Sequence, residues 1–314
     1  MAGLVPAIHA LAEVRKTWMP GTRPGMTAER TEMQLDPRLT PARPDLAAKS
    51  LEGRVTAARF VDGVEREVID AQAPLRRDPS HEAPLDTEAL KGERVVVYET
   101  TGEGWCWAQL QSDGYVGWLP ANALAEPGAQ PTHKVSALRT LVFPSANIKQ
   151  QPIEALSLGA RLAIVRMDER FAVTASGGFV PARHVSAIDT YENDFVSVAE
   201  RFLGVPYLWG GKTSFGLDCS GLVQVSLQAC GIPSLRDSDM QERNAGARIA
   251  MDSSLKNLRR GDLIFWKGHV AIARDNATMV HANAFHMAVA IEPVAEAVAR
   301  IRAAGSEMTS VRRI

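Results

Sequence analysis

Residues 206–223 read Pro206-Tyr-Leu-Trp-Gly-Gly-Lys-Thr-Ser-Phe-Gly-Leu-Asp-Cys-Ser-Gly-Leu-Val223. A glycine-rich loop leads into Cys219, and an apolar run follows until Gly231 and Pro233 interrupt it. This pattern predicts a loop followed by a helix with Cys219 in its first turn. Unpaired backbone N–H groups and the positive end of the helix dipole favour a thiolate there, so Cys219 is a candidate nucleophile.

Two histidines follow in short β-like runs. His269 lies in Gly268-His-Val-Ala-Ile-Ala273, and His281 lies in Met279-Val-His-Ala282. Their spacing fits two short strands joined by a turn at 274–276, and antiparallel pairing of these strands would place both imidazoles on one face. Cys219, His269 and His281 could then act as a nucleophile, its base and a group that orients the base, as nucleophilic catalysis requires.

These motifs resemble the NlpC/P60 cysteine peptidases of bacterial cell-wall metabolism. They occur in the family's order over about a third of the chain, which makes the match specific. The resemblance implies that Cys219 is the nucleophile, His269 the general base and His281 the polar third member. The hydroxyl of Tyr207 would join the backbone N–H of Cys219 as an oxyanion donor. The matching segments are Pro206-Tyr-Leu-Trp-Gly-Gly211, Asp218-Cys-Ser-Gly-Leu-Val223, Gly261-Asp-Leu-Ile-Phe265, Gly268-His-Val270 and His281.

The resemblance also implies a substrate. In the family's γ-D-glutamyl-diamino acid endopeptidases, the positions that match Asp218, Ser220 and Ser238 form a pocket for the free amine of L-Ala. The implied partner is therefore a peptidoglycan-derived peptide, cut between γ-D-Glu and meso-diaminopimelate or L-Lys. Arg236 and Gln241, which flank Ser238, are expected to be structural supports.

The chain before the catalytic motifs indicates small barrels. Short strands are expected at 95–99, 105–110 and 115–119, separated by glycine and aspartate turns. A weaker copy follows at an offset of about 60 residues, which predicts two tandem units. The segment Gly114-Tyr-Val-Gly-Trp118 resembles a bacterial SH3 domain. The repeated segments are Leu90-Lys-Gly92 with Leu158-Gly159, and Trp118-Leu-Pro-Ala121 with Phe179-Val-Pro-Ala182.

In relatives that carry two SH3 domains, the first closes one end of the substrate groove with a glutamate and a tyrosine. The matching residues here are Glu93 and Tyr115. A closed end would admit only trimmed peptides with a free N-terminal alanine. The resemblance therefore favours an enzyme that recycles released murein peptides over one that cuts the intact wall.

The predicted fold class is α+β, with a papain-like NlpC/P60 catalytic domain at 190–314. It is preceded by SH3-like barrels at 45–127 and 132–189. The catalytic domain should open with an amphipathic helix at 195–203, capped by Asn193 or Asp194, and close with a helix at 294–304. Residues 1–44 carry six of the 18 prolines without a sustained period and predict a disordered extension.

Composition limits the function classes. The 314 residues are 46% hydrophobic and 23% charged, with a net charge of −1. The chain therefore has no excess of basic residues that would indicate nucleic-acid binding. There is no apolar run long enough to span a membrane, and no motif implies a cofactor. The first residues make a poor signal peptide, and Met26 and Met33 are plausible starts. Three cysteines form no disulfide framework, which favours a cytoplasmic protein, with a periplasmic or secreted protein as the alternative.

Three other functions fit the same residues. The thiol could serve an N-acetylmuramoyl-L-alanine amidase or acyltransferase, or a general endopeptidase. A non-catalytic protein could instead bind the cell wall through its SH3 units. Zinc is disfavoured because close ligand pairs such as Cys-x-x-Cys are missing. The remaining cysteines are expected in the core and the remaining histidines in structural or surface positions: Cys106, Cys230, His9, His81, His133, His184 and His286.

Overall fold

A lead-in segment precedes the first barrel in the computed structural model, which describes residues 35–250 and 255–314. Arg38 forms ion pairs with Asp237 and Asp239 of the catalytic domain, at 2.7 and 2.8 Å. The guanidinium of Arg43 lies over the rings of Trp107 and Trp118. The prediction of disorder to residue 44 is therefore wrong for residues 35–44, because these two arginines hold the segment in place, while residues 1–34 lie outside the described part.

The first barrel is a seven-stranded sheet whose side chains alternate between a core and an outer face. Val68, Leu75, Val95 and Leu119 fill its interior. The strands predicted at 95–99, 105–110 and 115–119 are confirmed to within one residue. Two short strands before it, β1 (Ala47–Ala48) and β2 (Phe60–Val61), form a separate two-stranded sheet. The seven strands of the barrel are β3 (Val64–Val68), β4 (Gln72–Arg76), β5 (Leu85–Leu90), β6 (Arg94–Thr100), β7 (Trp105–Leu110), β8 (Val116–Pro120) and β9 (Leu124–Ala125). They pair in the order β5-β4-β8-β7-β6-β3-β9.

The second barrel repeats the turns of the first. Gly92 and Gly159 both have positive φ between successive strands, and Pro120 and Pro181 both precede a short 3-10 helix. These shared features agree with the predicted repeat. The strands are β10 (His133–Val135), β11 (Arg139–Val142), β12 (Glu154–Ser157), β13 (Arg161–Leu162), β14 (Ile164–Met167), β15 (Phe171–Thr174), β16 (Phe179–Pro181) and β17 (Val185–Ala187).

The catalytic domain packs helices against a six-stranded antiparallel sheet, ordered β20-β25-β21-β22-β23-β24. Its helices are α1 (Phe195–Glu200), α2 (Cys219–Ala229), α3 (Ser238–Asn244) and α4 (Val294–Ala303). Its strands are β18 (Lys212–Thr213), β19 (Gly216–Leu217), β20 (Ala247–Ile249), β21 (Leu263–Trp266), β22 (His269–Ala273), β23 (Thr278–Asn283), β24 (Ala288–Pro293) and β25 (Met308–Arg313).

The predicted helices are present with one change of length. Of the two predicted caps, Asn193 and Asp194, it is Asp194 that caps α1, by accepting from the Val196 N–H. This helix is shorter than predicted because residues 202 and 203 bond three residues back rather than four, which tightens the last turn. The closing helix α4 is confirmed to within one residue. No helix in the described ranges has the length and apolar character that a bilayer crossing demands.

Helix α2 lies at the centre of the catalytic core. Leu222 and Val223 are buried between the sheet and α1, and the helix packs on β22 and β23, the two histidine strands. Burial of large apolar side chains contributes about 1.5–3 kcal/mol each, so this helix is firmly held. The cysteine and both histidines therefore stand on rigid elements of one core.

Candidate active site

Cys219 is the first residue of α2, as the sequence predicts. Asp218 caps the helix and accepts a 2.6 Å hydrogen bond from the Gly221 N–H. A side chain at Gly221 would meet the Gly211 carbonyl oxygen at 2.2 Å, so only glycine allows the first helical turn to approach the preceding loop this closely. The Asp-Cys-Ser-Gly motif thus fixes the position of the thiol.

The two histidines form a hydrogen-bonded chain on the sheet next to α2. Pairing of Ile272 with Val280 in β22 and β23 makes His269 and His281 diagonal neighbours on one face. His269 Nε2 lies 2.9 Å from His281 Nδ1. His281 Nε2 in turn lies 2.6 Å from a carboxylate oxygen of Glu292 in β24. The predicted pairing of the two histidine strands is therefore confirmed.

This chain fixes the tautomers of both rings. The Glu292 carboxylate only accepts, so His281 donates from Nε2 and its Nδ1 accepts from His269 Nε2. His269 Nδ1 is then left with a lone pair, which can take a proton from a thiol. Glu292 also forms an ion pair with Arg300 of α4, which holds the carboxylate in place.

Burial keeps the Cys219 thiol and the His269 imidazole uncharged before substrate binds. Burial and then the Asp218 carboxylate raise the pKa of Cys219 to about 12. Burial and then His281 lower the pKa of His269 to about 3. The helix dipole is thus outweighed here, because the thiol is only 6% exposed. At neutral pH, Cys219 carries its proton and His269 is an unprotonated base.

Glu292 is a positioning residue that the sequence interpretation did not identify. It lies on the strand after His281, in the alternating run Ala288-Val-Ala-Ile-Glu292, and alternation places it on the face of that run that holds Ala288 and Ala290. His281 pairs with Ala290 across the two strands, so Glu292 reaches it diagonally. Glu292 could have been found from the sequence by looking for a carboxylate two residues beyond the cross-strand partner of His281.

Replacing Glu292 with glutamine should lower kcat/KM by roughly 10–100-fold, because the amide no longer fixes the tautomers of the histidine chain. The carboxylate charge raises the pKa of His269, so its removal should also move the acid limb of the pH profile to lower pH. Glu296→Gln removes the same charge from the exposed face of α4 and should change neither quantity. An unchanged acid limb in Glu292→Gln would contradict the positioning role.

A cavity of about 280 Å³ opens beside the thiol. The catalytic domain and the first barrel both contribute to its wall, and the lead-in segment adds Arg38. Four carboxylates and two guanidinium groups line it, so negative charge is in excess. The lining residues are Arg38, Arg77, Asp86, Tyr115, Tyr207, Trp209, Asp218, Cys219, Ser220, Asp237, Ser238, Asp239 and Gly268.

Asp218 lines this cavity, but its carboxylate is heavily used within the protein. One oxygen accepts from the Gly221 N–H, the Ser220 hydroxyl and Arg236, and the other accepts from the Gly210 N–H and Arg236. A carboxylate offers about four lone-pair sites, so five donors leave little capacity for a substrate amine. The role of Asp218 in amine binding stays a prediction, while its structural role is evident.

Arg236 and Gln241 are structural supports, as predicted. Arg236 is buried and binds both oxygens of Asp218, and its Nε donates to the Thr87 hydroxyl of the first barrel. The side-chain amide of Gln241 donates to the Ser220 carbonyl at 2.9 Å. Together they hold the turn that carries Cys219.

Tyr115 reaches the cavity from the first barrel, as predicted. Its hydroxyl lies 3.1 Å from a carboxylate oxygen of Asp237, to which it donates. Burial raises the pKa of Tyr115 and of Asp237, and the Asp237 charge raises that of Tyr115 further. The hydroxyl therefore remains a hydrogen-bond donor at neutral pH.

The prediction that Glu93 lines the groove is wrong. One of its carboxylate oxygens accepts from the Leu90 N–H at 3.1 Å, and the other lies 3.5 Å from the buried Lys212 ammonium. The turn at Gly92 thus directs the side chain toward Lys212 of the catalytic domain and away from the cavity beside Cys219. The carboxylate that the first barrel does present to the cavity is Asp86 of β5, which is paired with the exposed Arg77.

The remaining predicted site residues lie where the sequence suggests. Tyr207, Ser220 and Ser238 all line the cavity with Cys219. Burial, then Cys219 and Asp218, raise the pKa of Tyr207, so its hydroxyl stays protonated and can donate to an oxyanion. Ser238 begins α3 and is half-buried.

The other cysteines and histidines of the described ranges lie away from this cavity. Cys106 is buried in the first barrel, and Cys230 is the half-buried residue that ends α2. His184 bonds to Thr140 and His286 to Asn283. His9 lies outside the described residues. His81 packs on Trp105 and His133 bonds to Thr132.

Two family models match the chain in separate places. Residues 75–124 match the bacterial dipeptidyl-peptidase SH3 domain, and residues 204–306 match the NlpC/P60 family. The second match contains Cys219, His269, His281 and Glu292. The first contains Arg77, Asp86 and Tyr115, the barrel residues of the cavity.

Several known proteins are similar to this chain over most of their own length. The gamma-D-glutamyl-L-lysine dipeptidyl-peptidases of Bacillus cereus and Bacillus subtilis are each 27% identical, over 67% and 80% of this chain and 71% and 87% of their own. A solved NlpC/P60 family protein from Bacillus cereus is 23% identical with a TM-score of 0.67, over 80% of this chain and 99% of its own. Residues 204–306 therefore form an NlpC/P60 domain, and residues 75–124 before it form a bacterial dipeptidyl-peptidase SH3 domain.

Proposed function

We propose that the protein hydrolyses the amide bond between γ-D-Glu and the diamino acid of peptidoglycan stem peptides that begin with a free L-Ala. The names of the two Bacillus dipeptidyl-peptidases support this substrate class. The observation that carries the proposal is the wall that the first barrel builds across the cavity of Cys219, with Tyr115 and Asp86. Such a wall leaves room for only a short peptide end.

Charge in this cavity favours a free amine. Asp218 is balanced by Arg236, and Asp86 is balanced only by an exposed arginine. One oxygen of Asp86 and one of Asp237 have no hydrogen-bond donor among the described residues, although both carboxylates line the cavity. An ammonium group there would make charge-assisted hydrogen bonds, which an N-acetylated peptide cannot make.

Amide hydrolysis would start from the neutral Cys219 thiol and the neutral His269 imidazole. Cys219 passes its proton to His269 as the sulfur attacks the amide carbonyl carbon. The backbone N–H of Cys219 and the Tyr207 hydroxyl would stabilise the oxyanion. The C–N bond then breaks, and the leaving amine takes the proton from His269. Water, deprotonated by His269, hydrolyses the thioester and restores the thiol.

The test compares L-Ala-γ-D-Glu-meso-diaminopimelate with the same peptide N-acetylated, with products identified by mass spectrometry. We expect L-Ala-γ-D-Glu from the free peptide and little or no cleavage of the acetylated one. Asp86→Asn should raise KM for the free peptide by about 10-fold with a smaller change in kcat, because a charged hydrogen bond is lost.

Asp70→Asn is the matched control, since Asp70 is an exposed carboxylate of the same barrel that does not line the cavity. It should leave both constants unchanged. Equal cleavage of both peptides by the wild-type protein would overturn the amine requirement. Release of L-Ala instead of the dipeptide would overturn the assigned bond.

A further inference from the structure

A larger cavity, of about 540 Å³, lies between the second barrel and α2. Val225, Gln228 and Ala229 from the C-terminal half of the helix line it, whereas Cys219 begins the helix. Eleven helical residues span about 15 Å, so this cavity and the thiol lie at opposite ends of α2. The cavity is therefore separate from the active site.

One wall of this cavity is a row of polar side chains across three strands. Lys134 of β10 lies directly opposite Arg161 of β13 and, on its other side, opposite Ser186 of β17. Residues directly opposite one another project to the same face of a sheet, and all three line the cavity. An ammonium, a guanidinium and a hydroxyl group thus stand side by side.

Two cations in such positions destabilise a sheet. The other ionic groups of the cavity are paired, Glu93 with Lys212 and Glu192 with Arg201. Within residues 35–250 and 255–314, the side chains of Lys134 and Arg161 form neither an ion pair nor a hydrogen bond.

Lys134 contacts the Tyr191 ring, 4.1 Å from its ammonium nitrogen. Burial and then Arg161 lower the pKa of Lys134. A ring face only partly offsets the repulsion between two cations. Asp189 and Glu192 act on Lys134 in the opposite direction, but neither forms an ion pair with it, so the protein offsets this positive charge only in part.

We propose that this cavity binds a small organic anion, whose carboxylate or phosphate group is held by Arg161, Lys134 and Ser186. Arg161 offers the planar fork that matches either anion, and Lys134 adds a point charge. The α2 side of the cavity is mostly apolar, with Val225, Ala229 and Ile232 beside Gln228. The ligand therefore combines an anionic head with an apolar portion.

Calorimetric titration of the full-length protein with hexanoate, hexyl phosphate and hexanol tests this proposal. We expect at least one anion to bind saturably while hexanol does not, and the preferred anion identifies the head group. The double variant Lys134→Gln/Arg161→Gln should weaken that binding by at least about 10-fold. Failure of both anions to bind at about 10 mM, or equal binding of hexanol, would overturn the proposal.

Arg166→Gln is the matched control. It removes one positive charge from the same barrel at a strand position opposite Val173, outside the cavity. It should leave anion binding unchanged. Without ligand, Arg161→Gln should raise the melting temperature by roughly 1–3 °C because the like-charge pair is relieved, and Arg166→Gln should not. Equal anion affinity in the double variant and the wild-type protein would contradict the assigned residues.

Discussion

Replacing Cys219 with alanine is expected to lower kcat by roughly 10⁵-fold, because the acyl-enzyme route requires the sulfur atom. The walls of the cavity do not depend on this side chain, so affinity for the free tripeptide should change little. Product release under single-turnover conditions measures the first quantity. Calorimetric titration of the inactive variant measures the second.

Cys230→Ala provides the control, since this cysteine ends the same helix and lies away from the cavity. It should keep the full rate. Intact-protein mass spectrometry of the wild-type protein should show a transient adduct of the dipeptide acyl group, absent from Cys219→Ala. A variant at position 219 that retains more than about 1% of the rate would exclude the thiol mechanism.

Local pattern was sufficient to predict the catalytic elements. Cys219 at a helix start depends on Asp218 and Gly221, which are its sequence neighbours, and the two histidine strands depend on a single turn. Such features are set by hydrogen bonds within a few residues. The sequence therefore predicted the helix of the nucleophile and the pairing of the two histidine strands correctly.

The rest of the cavity comes from distant segments, and there the prediction failed in part. Arg38 and Asp86 belong to the lead-in and the first barrel, and nothing local indicates which side chains of a barrel face another domain. Glu93 carries a carboxylate, as the wall of the cavity beside Cys219 requires, but the turn at Gly92 directs its side chain toward Lys212. Only tertiary packing decides between Glu93 and Asp86.

The neutral state of the catalytic pair also depends on burial rather than on pattern. A helix start favours a thiolate by up to about 2 kcal/mol, whereas loss of solvent can shift a pKa by several units. Cys219 is almost fully covered, so burial and the Asp218 charge outweigh the dipole. A sequence cannot show how much solvent reaches a side chain.

Replacing Arg236 with methionine is expected to lower the free energy of unfolding by about 3–5 kcal/mol, because Asp218 would keep a buried charge without its counter-ion. The change also removes the hydrogen bond to Thr87, which links the first barrel to the catalytic domain. Denaturant unfolding measures the loss. Arg260→Met, which breaks an exposed ion pair with Asp194, should cost no more than about 1 kcal/mol.

A second substitution separates the two contributions that Arg236 makes to stability, its charge and its packing. Asp218→Asn in the Arg236→Met background removes the unpaired charge, and asparagine can still cap α2. The double variant should therefore recover at least about 1 kcal/mol relative to Arg236→Met alone. If Asp218→Asn instead added to the loss, packing of the arginine, rather than its charge, would stabilise the turn that carries Cys219.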